Sequence, residues 1–341
     1  MASADQPAPR PRQVHLVVRA GLPPTAGNII TARRLALGLA AAGVPTAILS
    51  ADALARRAPP APDAVVHALH ALGAGVAAVR WAGRAPVVWT FTGTDLADLD
   101  EAGLAAMREA AGAVAAHVAF HPDGATVIRQ RLSLPPEGVR VIPPGVAPTG
   151  GCPPEADPPD GPLLVLPAGL RAVKRPDLAL DVLRAVRAAG TGARLVVLGP
   201  ARDPEFQRAF LERLALVPEA RYLGEVRHDE MADWYGRAAL VLNTSEVEGL
   251  SNAVLEAMAA GRCVLATDIA GNRAAIRHGV DGWLASPADF AAAALRLLGD
   301  PGLRARLGAA AQASVRARFS PEAEIAALMR LYRDLGRAPG T

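Results

Sequence analysis

Short apolar runs alternate with longer helical periods along the chain, and this alternation limits the possible folds more than any other feature. Six runs in the first half predict strands: Val14–Arg19, Thr46–Ser50, Ala64–His67, Val87–Thr92, Ala115–Phe120 and Val139–Ile142. Amphipathic stretches such as Ile29–Ala42 and Gly124–Arg131 lie between them. Repetition of strand, helix and strand predicts an α/β fold with a parallel, doubly wound sheet.

The alternation is interrupted once, by the Pro-, Gly- and acid-rich stretch Pro143–Pro162, which neither a helix nor an inner strand tolerates. Five further predicted strands follow it: Leu163–Leu166, Arg194–Leu198, Arg221–Leu223, Leu240–Asn243 and Cys263–Ala266. A chain of 341 residues is also long for one ordinary core. We therefore predict two Rossmann-like domains facing across a cleft, lined by the carboxyl ends of both sheets, where such sheets bind ligands.

The expected boundaries follow from this pattern. Residues 1–12 are expected to form a disordered leader, 13–147 the N-terminal domain, 148–162 the linker and 163–318 the C-terminal domain, followed by a helix within 319–341.

Composition excludes some classes of protein. The net charge is only +3 and the arginines are spread along the chain, so the concentrated basic stripe of a nucleic-acid binder is missing. The two cysteines, Cys152 and Cys263, lie in different halves, which favours a reducing compartment and a cytoplasmic location. No apolar stretch of the sequence is long enough to span a membrane. Peripheral membrane contact and the oligomeric state stay open.

The stretch SEVEGLSNAVLEAM, residues 245–258, places Glu248 in a loop after a predicted strand and Glu256 in the next helix. Ser251 is a suitable N-cap for that helix, and its first free amides, near Asn252, predict an anion site. A phosphate there has one carboxylate on either side, an arrangement that fits a nucleotide sugar. Spacing alone favours two solvated surface charges, because glutamates are common.

A second loop adds positive charge. Lys174 is the single lysine among 36 basic residues, and it follows a predicted strand together with Arg171. Two cations at a strand end can hold a diphosphate and stabilise its charge as it leaves. The alternative is that both side chains only solvate the start of the next helix.

Weaker candidates lie in the first half. Gly27 and Asn28 begin a helix after the first strand and can face a phosphate or an acceptor. The stretch lacks a GxGxxG motif, so a dehydrogenase-type dinucleotide site is not indicated. His70 lies just past a strand and can reach a sugar hydroxyl, and Thr94 and Asp95 are candidates for the same acceptor loop.

Further residues carry narrower expectations. Gly199, Gly224 and Gly249 follow strands of the second half and are assigned to backbone contacts with the donor. Asp98 and Asp100 form a D-x-D pair, which we assign to capping a helix near Glu101, and no metal is predicted.

Two more interpretations concern packing and turns. His67 is assigned to packing within its strand. Gly271 and the two residues after it are expected to form a turn whose glycine allows close approach of a ligand.

Together these motifs resemble a known family. The stretch EGLSNAVLEAMAAGRCVLATDIAGNRAAIRHGVDGWL is similar to the C-terminal signature of the retaining glycosyltransferases of family 4, which have the GT-B fold. Its elements are Glu248 with Glu256, Ala257–Gly261, Gly271–Asn272 and Asp281–Leu284. AGNIITARRL, TGTDL, GLRAVKRPD and LGPARDPEF further resemble glycosyltransferase 1 domain-containing proteins, and some of these elements resemble bacterial selenosugar synthases.

The resemblance implies roles for single residues. Glu256 would hold the ribose of the nucleotide, Glu248 would face the donor sugar, and His70 would match the family's histidine. Arg171, Lys174 and amides near Leu250 and Ser251 would bind the diphosphate. The last helix would cross back to the first domain.

Two departures from the family pattern stand out. The spacing from Arg171 to Lys174 is shorter than usual and Arg175 replaces the glycine after the lysine. The usual G-x-P-V pattern is Gly261-Arg262-Cys263-Val264 here, so Cys263 stands in place of the proline.

The predicted function is retaining, metal-independent transfer of a sugar from a nucleotide diphosphate donor, UDP-GlcNAc or a UDP-hexose, to a small-molecule acceptor, without a cofactor. One alternative is a selenosugar or thiosugar synthase, with Arg19, Arg33 and Arg34 as candidates for a cationic acceptor pocket. Others are a nucleotide-sugar-binding protein without turnover, and a different GT-B enzyme such as an epimerase or a pyridoxal-phosphate phosphorylase.

Overall fold

The computed structural model describes residues 10–23, 26–93, 95–96, 99–147, 161–201 and 203–337. Contacts divide the chain into two compact units. The N-terminal unit comprises Met1–Gly145 and Pro321–Thr341, and the C-terminal unit is Val146–Ser320. Thr94, Asp98, Cys152, most of the predicted leader and most of the predicted linker lie outside the described residues.

The N-terminal unit contains a six-stranded, fully parallel sheet in the order β2-β1-β3-β4-β5-β6. Its strands are β1 (Gln13–Val18), β2 (Thr46–Ser50), β3 (Ala64–Leu69), β4 (Val87–Thr90), β5 (Ala116–Ala119) and β6 (Val139–Val141). Its helices are α1 (Gly27–Ala41), α2 (Ala51–Ala55), α3 (Val76–Ala78), α4 (Glu101–Gly112) and α5 (Pro122–Leu132). A π-helical turn (Ala71–Gly75) precedes α3 and a 3₁₀ turn (Val79–Trp81) follows it.

The last helix of the chain, Pro321–Arg337, completes the core of this unit. Its apolar residues, including Leu328 and Leu331, pack in one buried cluster with Leu16 of β1 and Leu35 of α1. Tyr332 on the same helix hydrogen-bonds the buried His67 at 2.6 Å, and the other ring nitrogen of His67 lies 2.6 Å from Thr90 Oγ1. His67 is therefore a packing residue, as predicted.

The C-terminal unit contains a second six-stranded parallel sheet, in the order β12-β11-β10-β7-β8-β9. Its strands are β7 (Leu163–Pro167), β8 (Arg194–Leu198), β9 (Ala220–Gly224), β10 (Leu240–Asn243), β11 (Val264–Thr267) and β12 (Trp283–Ala285). Its helices are α6 (Pro176–Ala188), α7 (Pro204–Leu214), α8 (Met231–Arg237), α9 (Asn252–Ala259), α10 (Ala270–Ala275), α11 (Phe290–Leu298) and α12 (Pro301–Arg318). The helix Pro321–Arg337 is α13.

Local chemistry explains these elements. The strands β7 and β10 are continuous aliphatic runs, as strands buried on both faces of a parallel sheet require. Proline is the first residue of several helices, where its fixed φ suits the first turn and its missing N–H is not needed. These helices are α5, α6, α7, α12 and α13.

The eleven predicted strands all occur, each within two residues of its predicted ends. The three-residue strand β12 was not predicted. The expected turn at Gly271 is wrong, because residues 270–275 form helix α10. Within the described residues, no helix has the length and apolar character needed to cross a membrane.

Candidate functional site

The loop between β10 and α9 carries the first glutamate. Helix α9 begins at Asn252, and the Oγ of its N-cap, Ser251, accepts from Val254 N at 3.5 Å. Gly261, with φ +71°, follows the last residues of the helix in a left-handed conformation that suits glycine. The predicted cap and stop are therefore observed, and the helix N-terminus lies at the carboxyl end of β10.

Glu248 lies in this loop. Within the described part of the chain, all hydrogen-bond donors to its carboxylate are side chains. It forms an ion pair with Lys174, accepts from Ser245 Oγ at 2.7 Å and from Asn243 Nδ2 at 3.4 Å. Burial raises the pKa of the Glu248 carboxyl, but the charge of Lys174 and the hydrogen bonds from these side chains outweigh burial and lower the pKa below its ordinary value. The carboxylate is therefore ionised at neutral pH.

Lys174 comes from the loop after β7, 74 residues earlier in the chain. Two hydrogen bonds tie that loop to the β10 loop: Thr244 Oγ1 donates to Lys174 O at 2.7 Å, and Glu246 N donates to Val173 O at 2.9 Å. The structure thus joins Lys174 directly to Glu248, although the sequence assigned them to different parts of a ligand. Arg171 is exposed at the start of the same loop.

Glu256 lies within α9, and its carboxylate is fixed from beside the helix. Tyr235 donates its hydroxyl to Glu256 Oε2 at 3.0 Å, and His228 Nδ1 lies 3.8 Å from Oε1. Burial, followed by the charge of Glu256, raises the pKa of Tyr235 well above its ordinary value, so the phenol stays protonated and remains a donor. Sequence reasoning missed Tyr235, because nothing in its local pattern points to a partner 21 residues away.

The remaining donor-binding candidates surround these loops. Leu250 is 5% exposed and packs in the core, so only its backbone is available to a ligand. Gly271 lies in α10, and a Cβ there would come within 2.4 Å of Glu248 O. The close approach that Gly271 allows is therefore to the Glu248–Gly249 backbone, which corrects the expectation of an approach to a ligand.

Gly199 and Gly224 end neighbouring strands and touch each other. Gly199 N donates to Gly224 O at 2.7 Å, and Gly199 has φ +150°. A Cβ at Gly199 would lie 2.6 Å from the backbone of Ala168, in the loop after β7. Gly199 thus brings the β7 and β8 loops together, while Gly224 has open space around its α-carbon.

In the N-terminal unit, Asp95 is 1% exposed and its carboxylate stabilises its own loop through hydrogen bonds. Its carboxylate accepts from the backbone N–H groups of Ala71, Thr92 and Gly93 at 2.5–2.9 Å. His70 Nδ1 lies 3.5 Å from the same carboxylate. Asp95 was assigned to an acceptor loop, and its observed contacts organise that loop.

His70 is itself buried and has φ +95°, an uncommon conformation for a residue with a side chain. Its Nδ1 accepts from Gly73 N at 3.1 Å and so caps the π-helical turn that follows. Backbone strain of this kind persists where the surroundings determine it, and it is common at functional sites.

The start of α1 places Gly27 and Asn28 in its first turn, with no side-chain cap at Ala26. Nearby, Arg34 is engaged: its guanidinium pairs with the buried Glu324 of α13. This ion pair argues against Arg34 as part of the cationic acceptor pocket that the selenosugar alternative requires.

The D-x-D interpretation is confirmed in part. Asp100 is the N-cap of α4 and accepts from Gly103 N at 2.7 Å. Asp100, the second aspartate of the pair, is therefore a helix cap.

Two family models match the chain. Residues 8–149 match the model for Glycosyltransferase Family 4, and residues 161–300 match the model for Glycosyl transferases group 1. The second match contains Arg171, Lys174, Glu248 and Glu256, and the first contains His70.

Curated relatives match over part of their length. Glycosyltransferase 1 domain-containing protein 1 of Xenopus tropicalis is 32% identical over 163 residues, 48% of this chain and 47% of that protein. D-inositol 3-phosphate glycosyltransferase of Streptomyces bingchenggensis is 30% identical over 232 residues, 64% of this chain and 46% of that protein. The chain thus spans about half the length of the curated relatives it matches.

Among solved structures, Anabaena Alr3699/HepE in complex with UDP and glucose superposes with a TM-score of 0.77 at 16% identity. The match covers 94% of this chain and all of that one. At this identity the likeness establishes the fold, which is the GT-B fold of glycosyltransferases. The match to the Glycosyltransferase Family 4 model falls almost entirely on the N-terminal unit, and the match to the Glycosyl transferases group 1 model falls on the C-terminal unit.

Proposed function

We propose that this protein is a glycosyltransferase that moves a sugar from a UDP-linked donor to a small-molecule acceptor. The observation that carries the proposal is the partly buried Lys174–Glu248 pair beside the N-terminus of α9, with Glu256 farther along the same helix. A cation, a helix N-terminus and two carboxylates together match the charges and hydroxyls of a nucleotide sugar. The family matches and the UDP complex of the Anabaena structure support the same class of donor.

In this proposal each residue has one role. Lys174 and Arg171 bind the diphosphate together with backbone amides near Leu250, Ser251 and Asn252. Glu256 holds the ribose hydroxyls and Glu248 the hydroxyls of the donor sugar. The loops at Gly199, Gly224 and Gly249 contact the rest of the nucleotide through their backbone. His70, Gly27, Asn28 and Thr94 are proposed to contribute to acceptor or phosphate binding.

The proposed chemistry retains the configuration of the anomeric carbon. The bond from that carbon to the leaving phosphate oxygen breaks, and the bond to the acceptor oxygen forms on the same face. The acceptor proton passes to the leaving diphosphate, so the step needs no strong general base, metal or cofactor. Lys174 and the α9 dipole lower the barrier by stabilising the negative charge that develops on the diphosphate.

Lys174 has to serve two partners in this scheme. With no diphosphate present its ammonium is paired with Glu248, and with a diphosphate bound its three donors can be shared between the two anions. The pair therefore keeps both charges compensated at this partly buried position until the substrate arrives.

The proposed donor is UDP-GlcNAc or a UDP-hexose, and the proposed location is the cytoplasm. The named activity of the Streptomyces relative suggests a phosphorylated polyol as one class of acceptor. Selenophosphate is kept in the acceptor panel, because the motif resemblance to selenosugar synthases is independent of Arg34.

The test is a donor and acceptor panel read by mass spectrometry. Purified protein is incubated with UDP-glucose, UDP-GlcNAc or GDP-mannose, and with D-inositol 3-phosphate, a simple polyol or selenophosphate. We expect UDP release and a glycosylated product with one UDP-sugar, and the anomeric proton coupling of that product, measured by NMR, should show the same configuration as the donor. A protein that binds UDP in calorimetry but releases none from any donor would be a binding protein, and one that does not bind UDP would overturn the proposal.

A further inference from the structure

A chain of buried amides connects α10 to Glu248. Asn272 of α10 is 0% exposed, and its Nδ2 donates to Thr267 O at 2.9 Å and to Asn243 Oδ1 at 3.1 Å. Asn243 Nδ2 in turn donates to Glu248 Oε1 at 3.4 Å and to Ser251 Oγ at 3.3 Å. The relay therefore reaches both the carboxylate and the N-cap of α9.

Obligate acceptors at both ends fix the orientation of the two amides. The carbonyl of Thr267 can only accept, so the NH₂ group of Asn272 has to face it. The ionised carboxylate of Glu248 can only accept, so the NH₂ group of Asn243 has to face Glu248 and its oxygen has to face Asn272. Ser245 N also points to Asn243 Oδ1, at 3.4 Å, which favours the same orientation.

This arrangement has a cost. Asn272 Oδ1 is buried without a hydrogen-bond partner among the described residues. An unpaired buried carbonyl oxygen costs about 1–3 kcal/mol. Such costs are retained where a group serves the site, and Asn272 is one of only four asparagines in the chain.

We propose that Asn272 is a positioning residue for Glu248, acting through the side-chain amide of Asn243. Without the donor from Asn272, the oxygen of the Asn243 amide keeps, among the described residues, only the 3.4 Å contact from Ser245 N, so the amide is held less firmly against the carboxylate. Glu248 then keeps its contacts with Lys174 and Ser245 but loses a firmly oriented third donor. This proposal rests on the proposed function, in which Glu248 faces the donor sugar.

The kinetic test is a double-mutant cycle with Asn272→Ala, Asn243→Ala and the double variant. We expect Asn272→Ala to lower kcat by about tenfold to a hundredfold, since small misplacements of a reacting group have effects of this size. The KM for the donor should change by less than about threefold, because Glu256 and its contacts are untouched. The double variant should be no slower than Asn243→Ala alone, because both act along one path.

The matched control is Gln312→Ala. Gln312 Nε2 donates to Ala259 O at 3.0 Å at the far end of α9, so the variant also removes a side-chain amide from the same unit without reaching Glu248. We expect its kcat to stay within about twofold of the wild type. An equal loss of kcat in Gln312→Ala and Asn272→Ala, or multiplicative losses in the double variant, would overturn the proposal.

A second measurement does not depend on turnover or on the stability of the alanine variants. Protein labelled with ¹⁵N-asparagine has four side-chain amide pairs, and Asn28→Ser and Asn252→Ser leave those of Asn243 and Asn272 for assignment. We expect Glu248→Gln to shift the Asn243 pair, and to shift the Asn272 pair less. An Asn243 pair that does not move would overturn the relay, whereas an inactive wild type with the expected shifts would overturn only the proposed function.

Discussion

Asp95 and Glu248 are carboxylates just beyond the end of a parallel strand, one in each unit, with side chains 1% and 10% exposed, yet their donors differ. Asp95 accepts from three backbone N–H groups and from one hydroxyl, that of Thr92 at 3.1 Å, whereas Glu248 is held only by the side chains of Lys174, Ser245 and Asn243 among the described residues. Backbone donors cannot turn away without remodelling the loop, but side-chain donors can rotate towards a substrate. The kind of donor, and not the carboxylate alone, therefore distinguishes Asp95, which organises a loop, from Glu248, which we propose binds the donor sugar.

The largest expected effect is on enzymatic activity, and it distinguishes Glu248 from Asp95. Glu248→Gln should lower kcat by about a hundredfold or more, because it removes a charged contact to the donor sugar and the partner of Lys174. Steady-state UDP release measures it. Glu246→Gln is the control, since the Glu246 side chain is 58% exposed two residues away. Equal rates for the two variants would show that Glu248 has only a structural role.

The next largest expected effect is on the free energy of unfolding, and it distinguishes Asp95 from Glu248. Asp95→Asn should lower the free energy of unfolding by about 2–4 kcal/mol, because an amide cannot satisfy the same three N–H donors with both of its polar atoms. Urea denaturation measures this loss. The control is Asp63→Asn, whose carboxylate is 48% exposed beside Arg12. If both variants unfold at the wild-type urea concentration, Asp95 does not hold its loop.

A smaller effect is expected at the second glutamate of the site. Glu256→Ala should weaken UDP binding by about tenfold, the value of roughly one charge-assisted hydrogen bond pair, with a smaller change in kcat. Tyr235→Phe, which removes only the hydroxyl that donates to Glu256, should weaken binding by a few-fold. Calorimetric titration with UDP measures both. Loss of turnover with unchanged UDP affinity in Glu256→Ala would reverse the assigned roles of the two glutamates.

The smallest expected effect is the loss of folding stability at acidic pH. Burial lowers the pKa of His67 to about 3 and that of His117 to about 4, and both lie in the N-terminal unit. Their folded-state pKa values lie below the unfolded value of 6.5, so their contribution to stability is complete above pH 6.5 and is lost as pH falls towards about 4 and 3. At pH 5.5 the expected loss is about 1 kcal/mol per histidine.

The check on this prediction is His117→Phe, which should flatten the fall in unfolding free energy between pH 7 and 5. His278→Gln, at an exposed position of the C-terminal unit, is the control and should leave the slope unchanged. The same slope in wild type and His117→Phe would show that His117 is not kept neutral by burial.

The fold was predictable because most of its strands are short, mainly apolar runs between helical stretches, and the predicted strands Leu240–Asn243 and Arg194–Leu198 agree with β10 and β8 at both ends. Strand β12 was not, because three residues after a turn carry no periodicity. Helix α10 was missed because Gly271-Asn272 favours a turn locally, and only its packing against the β10 loop reveals why glycine is there.

The sequence was enough to predict which residues of the site lie at strand ends, but it was not enough to predict which of them contact one another. The position of Lys174 and Glu248 after β7 and β10 follows from the order of elements, but their pairing depends on the adjacency of these two strands in the sheet. That adjacency, and the path from Asn272 to Asn243, join residues far apart in the chain, which local pattern cannot show.

The most direct test of the account is a crystal structure of the protein with a bound UDP-sugar. The account predicts the diphosphate at the N-terminus of α9 with Lys174, the ribose against Glu256, and the donor sugar against Glu248. A nucleotide bound elsewhere, with Lys174 still paired only to Glu248 and neither glutamate touching the ligand, would contradict it.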